Sequence, residues 1–341
     1  MQKQVKIAAV MPAYNEEDVI YHTIKNLVDN NIHVHILDNE STDSTLDIVK
    51  QFPKNQVSFS SFSTNGEFNE KLQGEAIKKA FNKLKEDYDW LIRNDADEFL
   101  ESPLSNLNVK QAIEIADKKG FNSIGTQQFY FCPTSEEKPH IPGEDIRKFY
   151  NYFQIWDKNK YFQKEFHPEA NKIWKINIFK PESLTYDSAH SVAPLNKIKL
   201  FPNLFIIRHY LYKSPEATRK KIFKDRKQRL SNWNITNKVS CRYLEYSEDD
   251  DFLFDNLKRE HSIKKNLLRT EAKIKKSLPL AIKKFLSPNL KKSLRSYIKD
   301  TLNFSIRLIN SNFKRNKNYY NLPDNIIKWS DFEKPEYKET T

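Results

Sequence analysis

The chain has 341 residues, of which 38% are hydrophobic, 30% charged and 13% aromatic. This is the composition of a soluble globular protein with room for one large domain or two ordinary ones. No apolar run of about 18 residues occurs, so no membrane-spanning helix is expected. The net charge of +12 is concentrated: residues 261–320 hold 16 Lys and Arg against two acids, Glu271 and Asp300. The rest of the chain is near neutral, which argues against nucleic-acid binding by the main domain.

Taken in chain order, "MQKQVKIAAVMPAYNEE" opens directly into domain-like sequence and is not a signal peptide. "KIAAVM" (Lys6–Met11) is a short continuous apolar run, as in a strand buried on both faces. "PAYNEE" follows as a loop. Asp18–Asn30 carries Val19, Ile20, Ile24, Leu27 and Val28 at helical spacing. "HVHILDN" predicts a second strand. "STDSTLDIVKQF" predicts a capped amphipathic helix, "VSFSSFS" a third strand, "GEAIKKAFNKL" (Gly74–Leu84) a helix and "DWLIRND" a fourth strand. Beyond Glu101 the spacing predicts a helix over Val109–Lys119 and strands over Ser123–Phe131 and Leu200–Tyr212. A helix is expected over Ser214–Leu230. The aromatic-rich stretch Lys148–Phe179 offers rings that stack on sugars, although most are expected in the core. Cys132 and Cys241 form neither a disulfide framework nor a metal-binding spacing, which fits reduced cysteines in a cytoplasmic protein.

Alternation of strand and helix over the first hundred residues predicts an α/β fold, with a mostly parallel Rossmann-like sheet flanked by helices. Ligands bind such sheets at the carboxyl ends of the strands. The polar clusters obey that rule: "PAYNEE" follows the first strand, "DNESTDST" the second, and "DADE" the fourth. In "WLIRNDADEFL" (Trp90–Leu100), acids are set between apolar flanks. Alternate residues of an extended segment point to one side, so Asp95 and Asp97 can aim at one point. Two hard oxygen ligands with open positions suit Mg2+ or Mn2+, either of which can neutralise a diphosphate leaving group. The D-x-D spacing also occurs at Asp87/Asp89 and Asp249/Asp251, but only Asp95/Asp97 follows an apolar strand at the expected sheet edge.

Together these segments resemble family 2 glycosyltransferases of the GT-A fold. "VMPAYNEEDVI" resembles the first-strand motif, "ILDNESTDST" the second, and "DADEF" the metal motif of a bacterial subgroup. "DSAHSV" (Asp187–Val192) and "RHYLYKSPEATRKKI" (Arg208–Ile222) resemble later segments of that subgroup. The likeness covers roughly residues 5–235, and the combination is more specific than any single motif. It implies a domain over 1–240, with a nucleotide-binding half (1–105) and an acceptor-side half (106–240). A basic, mainly helical C-terminal extension over 241–341 follows. By matching positions, Pro12, Ala13, Tyr14 and Glu16 line the nucleotide site, Asp38 contacts the base, and Ser41 and Asp43 lie nearby. Asp95 faces the ribose or metal, and Asp97 the metal and diphosphate. Glu98 belongs to the motif and is a catalytic candidate.

In "DSAHSV", Ser-Ala stands where the family pattern has Gly-Asn before the histidine. His190 is expected as a third metal ligand or a phosphate contact, and His209 is a second candidate. His22, His33, His35, His140, His167 and His261 are read as structural. The resemblance implies inverting transfer from a nucleotide-sugar donor to a glycan or lipid-linked acceptor, in cell-envelope polysaccharide or lipopolysaccharide synthesis. A carboxylate acts as general base; Asp187 is the candidate, with Glu165 and Glu169 as competitors.

In the basic stretch, apolar residues recur at helical spacing from Ile263 to Ile309 with lysines between them. This suits peripheral contact with an anionic membrane on its inner face, or packing on the domain. Two other function classes compete. A nucleotidyltransferase acting on sugar phosphates would need a Gly- and Lys-rich phosphate loop where this chain has "PAYNEE". A non-catalytic basic binding protein would differ in that the near-neutral residues 1–240 alone would not retain the activity.

Overall fold

The computed structural model describes residues 4–131, 133–155, 175–186 and 192–237, with shorter pieces between 240 and 253 and between 326 and 334. Four parallel strands form one half of the main sheet: β1 (Ile7–Ala13), β2 (His33–Asp38), β3 (Val57–Ser61) and β4 (Trp90–Arg93), in the order β3-β2-β1-β4. Past β4 the sheet turns mixed. β8 (Lys175–Phe179) runs antiparallel to β4, and β6 (Ser123–Phe131) antiparallel to β8. β7 (Tyr152–Ile155) and β12 (Ile326–Lys328) complete that edge. β11 (Leu200–His209) lies parallel to β6 and antiparallel to β5 (Glu98–Glu101). β9 (Leu184–Tyr186) and β10 (Val192–Pro194) form a separate hairpin pair.

The two-residue period of a strand explains the layering. Ile7, Ala9, Met11 and Ala13 of β1 face one core, and Ala8 and Val10 face the other. The first core is covered by α1 (Ile20–Val28), α2 (Thr45–Val49) and α4 (Val109–Lys118), through Ile24, Leu27, Val49 and Ile113. The second is covered by α3 (Glu70–Leu84), through Ile77, Ala80 and Phe81. α3 begins four residues before the expected Gly74 because Asn69 caps it, accepting hydrogen bonds from the backbone of Lys71 and Leu72. α4 starts at Asn108 with a reciprocal capping box to Gln111.

A third core explains the apolar half of "DADEFL". Phe99 packs edge-on against Tyr210 at 5.5 Å, within a cluster that includes Phe129, Phe131, Tyr150 and Phe153. β5, not expected as a strand of its own, carries Phe99 into that cluster. The acids are thus a loop clamped between two buried strands. Tyr150 and Phe153, from the aromatic stretch, are core residues; residues 156–174 lie outside the described part.

The expected helix over 214–230 forms in two pieces. α5 (Pro215–Arg219) is capped by Ser214, and a π-helical stretch, Lys220–Lys227, continues it. α6 (Asn232–Thr236) follows. Phe252 and Tyr243, beyond the expected domain limit at 240, pack with Phe68 and Ile222. Most of the expected basic extension lies outside the described residues. Among the described residues, no helix is long and apolar enough to cross a membrane.

Two histidines on β2 give a pH prediction. His35 is 8% exposed, and its ring nitrogens engage the hydroxyls of Ser58 (2.9 Å) and Ser60 (3.0 Å) on β3. Burial, helped by His33 and Lys83, pushes its pKa down to about 4 from the usual 6.5. The unfolded chain therefore takes up this proton first. The stability contribution is complete above pH 6.5 and drains away as pH falls towards 4, by up to about 3 kcal/mol. Urea unfolding at pH 7 and pH 4.5 is expected to show a larger loss for the native chain than for His35→Gln. Equal losses would remove His35 as the cause.

Candidate active site

The loop after β1 and the loop after β2 are stitched together side chain to backbone. Asn15 N donates to Ser41 Oγ (3.1 Å), and Thr42 N donates to Asn15 Oδ1 (2.8 Å). Glu16 N donates to Thr45 Oγ1 (2.9 Å) and Glu17 N to Asp43 Oδ2 (3.2 Å). Both oxygens of Asp38, 2% exposed, accept from Ser41 N at 3.3 Å. Asn15 and Glu40 hold positive φ of 53° and 61°. Backbone held off the common regions in this way collects at functional sites, where the surroundings over-determine it. Ser41 and Asp43 therefore shape the loops, while Pro12, Ala13 and Tyr14 line the carboxyl end of β1.

The acid loop is equally braced. Asn94 N donates to Val10 O of β1, and its side-chain amide donates to Asp95 O and Glu98 O, both at 2.8 Å. Fully buried Arg93 pairs with Asp95 Oδ1 at 2.7 Å. Glu98, 1% exposed, turns inward: it accepts from Gln128 Nε2 (2.5 Å) and from Asp95 N (3.3 Å). Gln128 in turn accepts from the Tyr130 hydroxyl at 2.6 Å. In this geometry Glu98 fixes the shape of the loop from behind.

Asp97 sits in a buried chain of alternating charges that runs across three segments. Lys221 Nζ donates to Asp97 Oδ2 (2.8 Å) and to Glu16 Oε1 (3.1 Å). Lys213 Nζ donates to Glu16 Oε2 (2.7 Å) and to Asp18 Oδ1 (2.5 Å). His209 Nε2 lies 3.5 Å from Asp97 Oδ1, with its ring against Tyr130. Burial alone would raise the Asp97 pKa; Lys221 and His209 overcome it and hold the carboxyl well below its usual range. Burial would likewise lower Lys213, but Asp18 and Glu16 keep it raised.

The same C-terminal segment reaches the nucleotide side. The Arg229 guanidinium lies 3.5 Å from the centre of the Tyr14 ring, and Asn15 Nδ2 donates to Asp225 Oδ1 at 3.4 Å. Phe68 N donates to Arg229 O, and Arg226 stacks on the Phe68 ring at 4.3 Å. Residues 213–229 thus form an arm across the mouth of β1 and β4. In sequence this segment shows a helix over Ser214–Leu230 and a family likeness over Arg208–Ile222, but no site residue. The available signal was basic residues placed just after a strand that ends at the edge holding all the acids.

Asp187, His190, Glu165, Glu169 and His167 lie outside the described residues. His209 is brought to Asp97. His22 and His140 contact backbone carbonyls of Gly143 (3.1 Å) and Glu144 (2.9 Å), which are structural roles. Among the described residues, no group of three or more His, Cys, Asp or Glu side chains is arranged to hold a metal. Asp95 and Asp97 nonetheless supply two hard oxygen donors. The Lys221 ammonium marks a position built for positive charge between Asp97 and Glu16, which a divalent cation fits, whereas Asp95 Oδ1 pairs with Arg93; the acids form a turn closed by Glu98 N to Asp95 O (3.1 Å), not the extended segment expected.

A family model described as glycosyl transferase family 2 matches residues 8–178. No curated protein matches the chain. Among similar solved structures is glucosyl-3-phosphoglycerate synthase from Mycobacterium tuberculosis, in complex with Mn2+, UDP-glucose and phosphoglyceric acid. It is 18% identical with a TM-score of 0.25; the match covers 37% of this chain, which spans 44% of the synthase. HddC from Yersinia pseudotuberculosis is 11% identical with a TM-score of 0.27, over 67% of this chain and 83% of that one.

Proposed function

We propose a function from one premise: the chain belongs to glycosyl transferase family 2. It moves a sugar, with inversion, from a nucleotide-sugar donor to a glycan or lipid-linked acceptor in cell-envelope polysaccharide or lipopolysaccharide synthesis. The observation that carries this reading is the gathering of Glu16, Asp38 and Asp97, all under a tenth exposed, at the carboxyl ends of three adjacent parallel strands. Ligand crevices of open α/β sheets form at such an edge.

In this reading Pro12, Ala13, Tyr14 and Glu16 line the nucleotide, and Asp38 receives the base. The Ser41 and Asp43 contacts hold the two loops at fixed spacing, so the donor meets a preformed surface. Asp95 and Asp97, with His190, hold Mn2+ or Mg2+. When bound, the cation neutralises charge on the leaving diphosphate. Arg93 holds the Asp95 carboxylate, and Glu98 braces the turn that carries both acids. The acceptor hydroxyl attacks the anomeric carbon on the face opposite the departing diphosphate, and a carboxylate, which we assign to Asp187, takes its proton.

The test is thermal stabilisation of the purified full chain by UDP-, GDP-, dTDP- and CMP-sugars, with and without Mn2+. One donor is expected to raise Tm by on the order of 5 °C near saturation, only with metal. The shift should vanish in Asp97→Ala. No shift with any donor sinks the reading.

We further assign residues 263–309 to peripheral contact with the inner face of the membrane, where a lipid-linked acceptor would lie. Basic amphipathic stretches bind anionic surfaces through charge and apolar area together. Flotation with anionic vesicles at low salt is the check: a chain that stays at the bottom of the gradient rules this out.

A further inference from the structure

Lys221 holds the position that the cation needs. Its ammonium bridges Asp97 and Glu16, and its side chain is 12% exposed. It issues from a π-helical stretch, a rare backbone form that recurs where a functional side chain must be aimed. Its two partners are unequally dependent on it. Glu16 also binds Lys213 through its other oxygen, whereas among the described residues the second basic neighbour of Asp97 is His209, at 3.5 Å.

Charge decides what happens when the cation arrives. Glu16, Asp18 and Asp97 face Lys213 and Lys221, which leaves one excess negative charge. A divalent cation turns that into one excess positive charge. The two negative charges of a donor diphosphate then restore the starting balance, so metal and diphosphate suit the cluster best as a pair. An ammonium and a divalent cation repel each other too strongly to share one buried carboxylate oxygen.

We propose that Lys221 and the divalent cation are alternative occupants of Asp97, and that the displaced Lys221 ammonium becomes a ligand of the donor's diphosphate. The proposal rests on the metal and donor reading above. Lys221 swings within the cluster, from carboxylate to phosphate, while Lys213 keeps its hold on Glu16 and so anchors the arm. Diphosphate binding by lysine as a point charge needs no fixed fork of donors, which suits a residue that changes partners.

The experiment titrates Mn2+ into the full chain, with free Mn2+ read by electron paramagnetic resonance. Inorganic pyrophosphate is then added at saturating Mn2+ and followed by calorimetry. Lys221→Met is expected to bind Mn2+ roughly ten- to a hundredfold more tightly than the native chain, the range that neighbouring groups exert on metal sites. It should bind pyrophosphate about tenfold more weakly. Lys221→Arg, which keeps the charge and grips a carboxylate in two places, should bind Mn2+ more weakly than native; it serves if the Met variant does not fold. Unchanged Mn2+ affinity in Lys221→Met, or in Lys221→Arg should that variant take its place, overturns the exclusive occupancy. Unchanged pyrophosphate affinity overturns the ligand role. Asp97→Asn separates the two levels. If it binds Mn2+ like the native chain, the metal reading itself has failed. If it loses Mn2+ while Lys221→Met matches native, only the present inference has.

Discussion

Asp97→Ala is expected to lower sugar transfer by about a thousandfold, at the upper end of what loss of one preorganised electrostatic group costs, while the protein stays folded. The geometry separates the two effects. Removing the carboxylate deletes the Asp97–Lys221 contact that joins the acid loop to the arm, yet Lys221 keeps Glu16 at 3.1 Å and is not left alone. The loop retains its shape through Asn94, Arg93 and Glu98, and its backbone still accepts from Tyr210 N at 2.9 Å. Asp89→Ala is the control. Asp89 belongs to another D-x-D pair, but it lies before β4 and accepts from Lys6 N, at the opposite edge of the sheet. It should leave transfer unchanged. Turnover of Asp97→Ala within threefold of native would remove Asp97 from the reaction.

Lys213→Met is expected to cost about 3 kcal/mol of stability, the lower end of what breaking a buried ion pair from one side costs. Lys213 is 3% exposed at its side chain, and its partners Glu16 and Asp18 are 5% and 13% exposed. The methionine fills similar space but leaves two carboxylates facing each other. Glu16 still has Lys221; Asp18 loses its buried partner. The surface pair Lys25–Asp29, with side chains 50% and 56% exposed, sets the scale: Lys25→Met should leave stability near that of the native chain. Urea unfolding at neutral pH measures both. If Lys213→Met costs no more than Lys25→Met, the buried network contributes nothing to folding.

The first hundred residues were readable because each element there obeys a single period. β1 is continuously apolar because both of its faces are buried, and Ile24 and Leu27 mark the covered stripe of α1. The placement of Asp38 and Asp97 at strand ends followed from counting elements. What stayed hidden depends on contacts between distant segments. Lys213 reads as a linker lysine between a strand and a helix, and Lys221 as one more lysine on that charged helix; only the return of β11 beside β5 brings them to Glu16 and Asp97. The π-helical stretch was equally invisible, since its residues have ordinary helix spacing in sequence. Glu98 carries the same letter as a catalytic acid, and its inward turn is set by Gln128, 30 residues away.

The pairing of β12 with β7 changes how the basic segment can be removed. Phe252 is buried on the domain before residues 254–325, and β12 is hydrogen-bonded to it after them. Both ends of that stretch are therefore fastened to one body, and it is topologically an insertion. Cutting the chain at 240 would strip β12 from the sheet and leave β7, still paired to β6, with its other edge open, an invitation to edge-to-edge association. It would also take Lys334 from Glu101. Excising 254–325 and joining the ends with a flexible linker preserves both attachments. A cyclic constraint of this kind also keeps any surface the insertion touches within reach of the site at high local concentration.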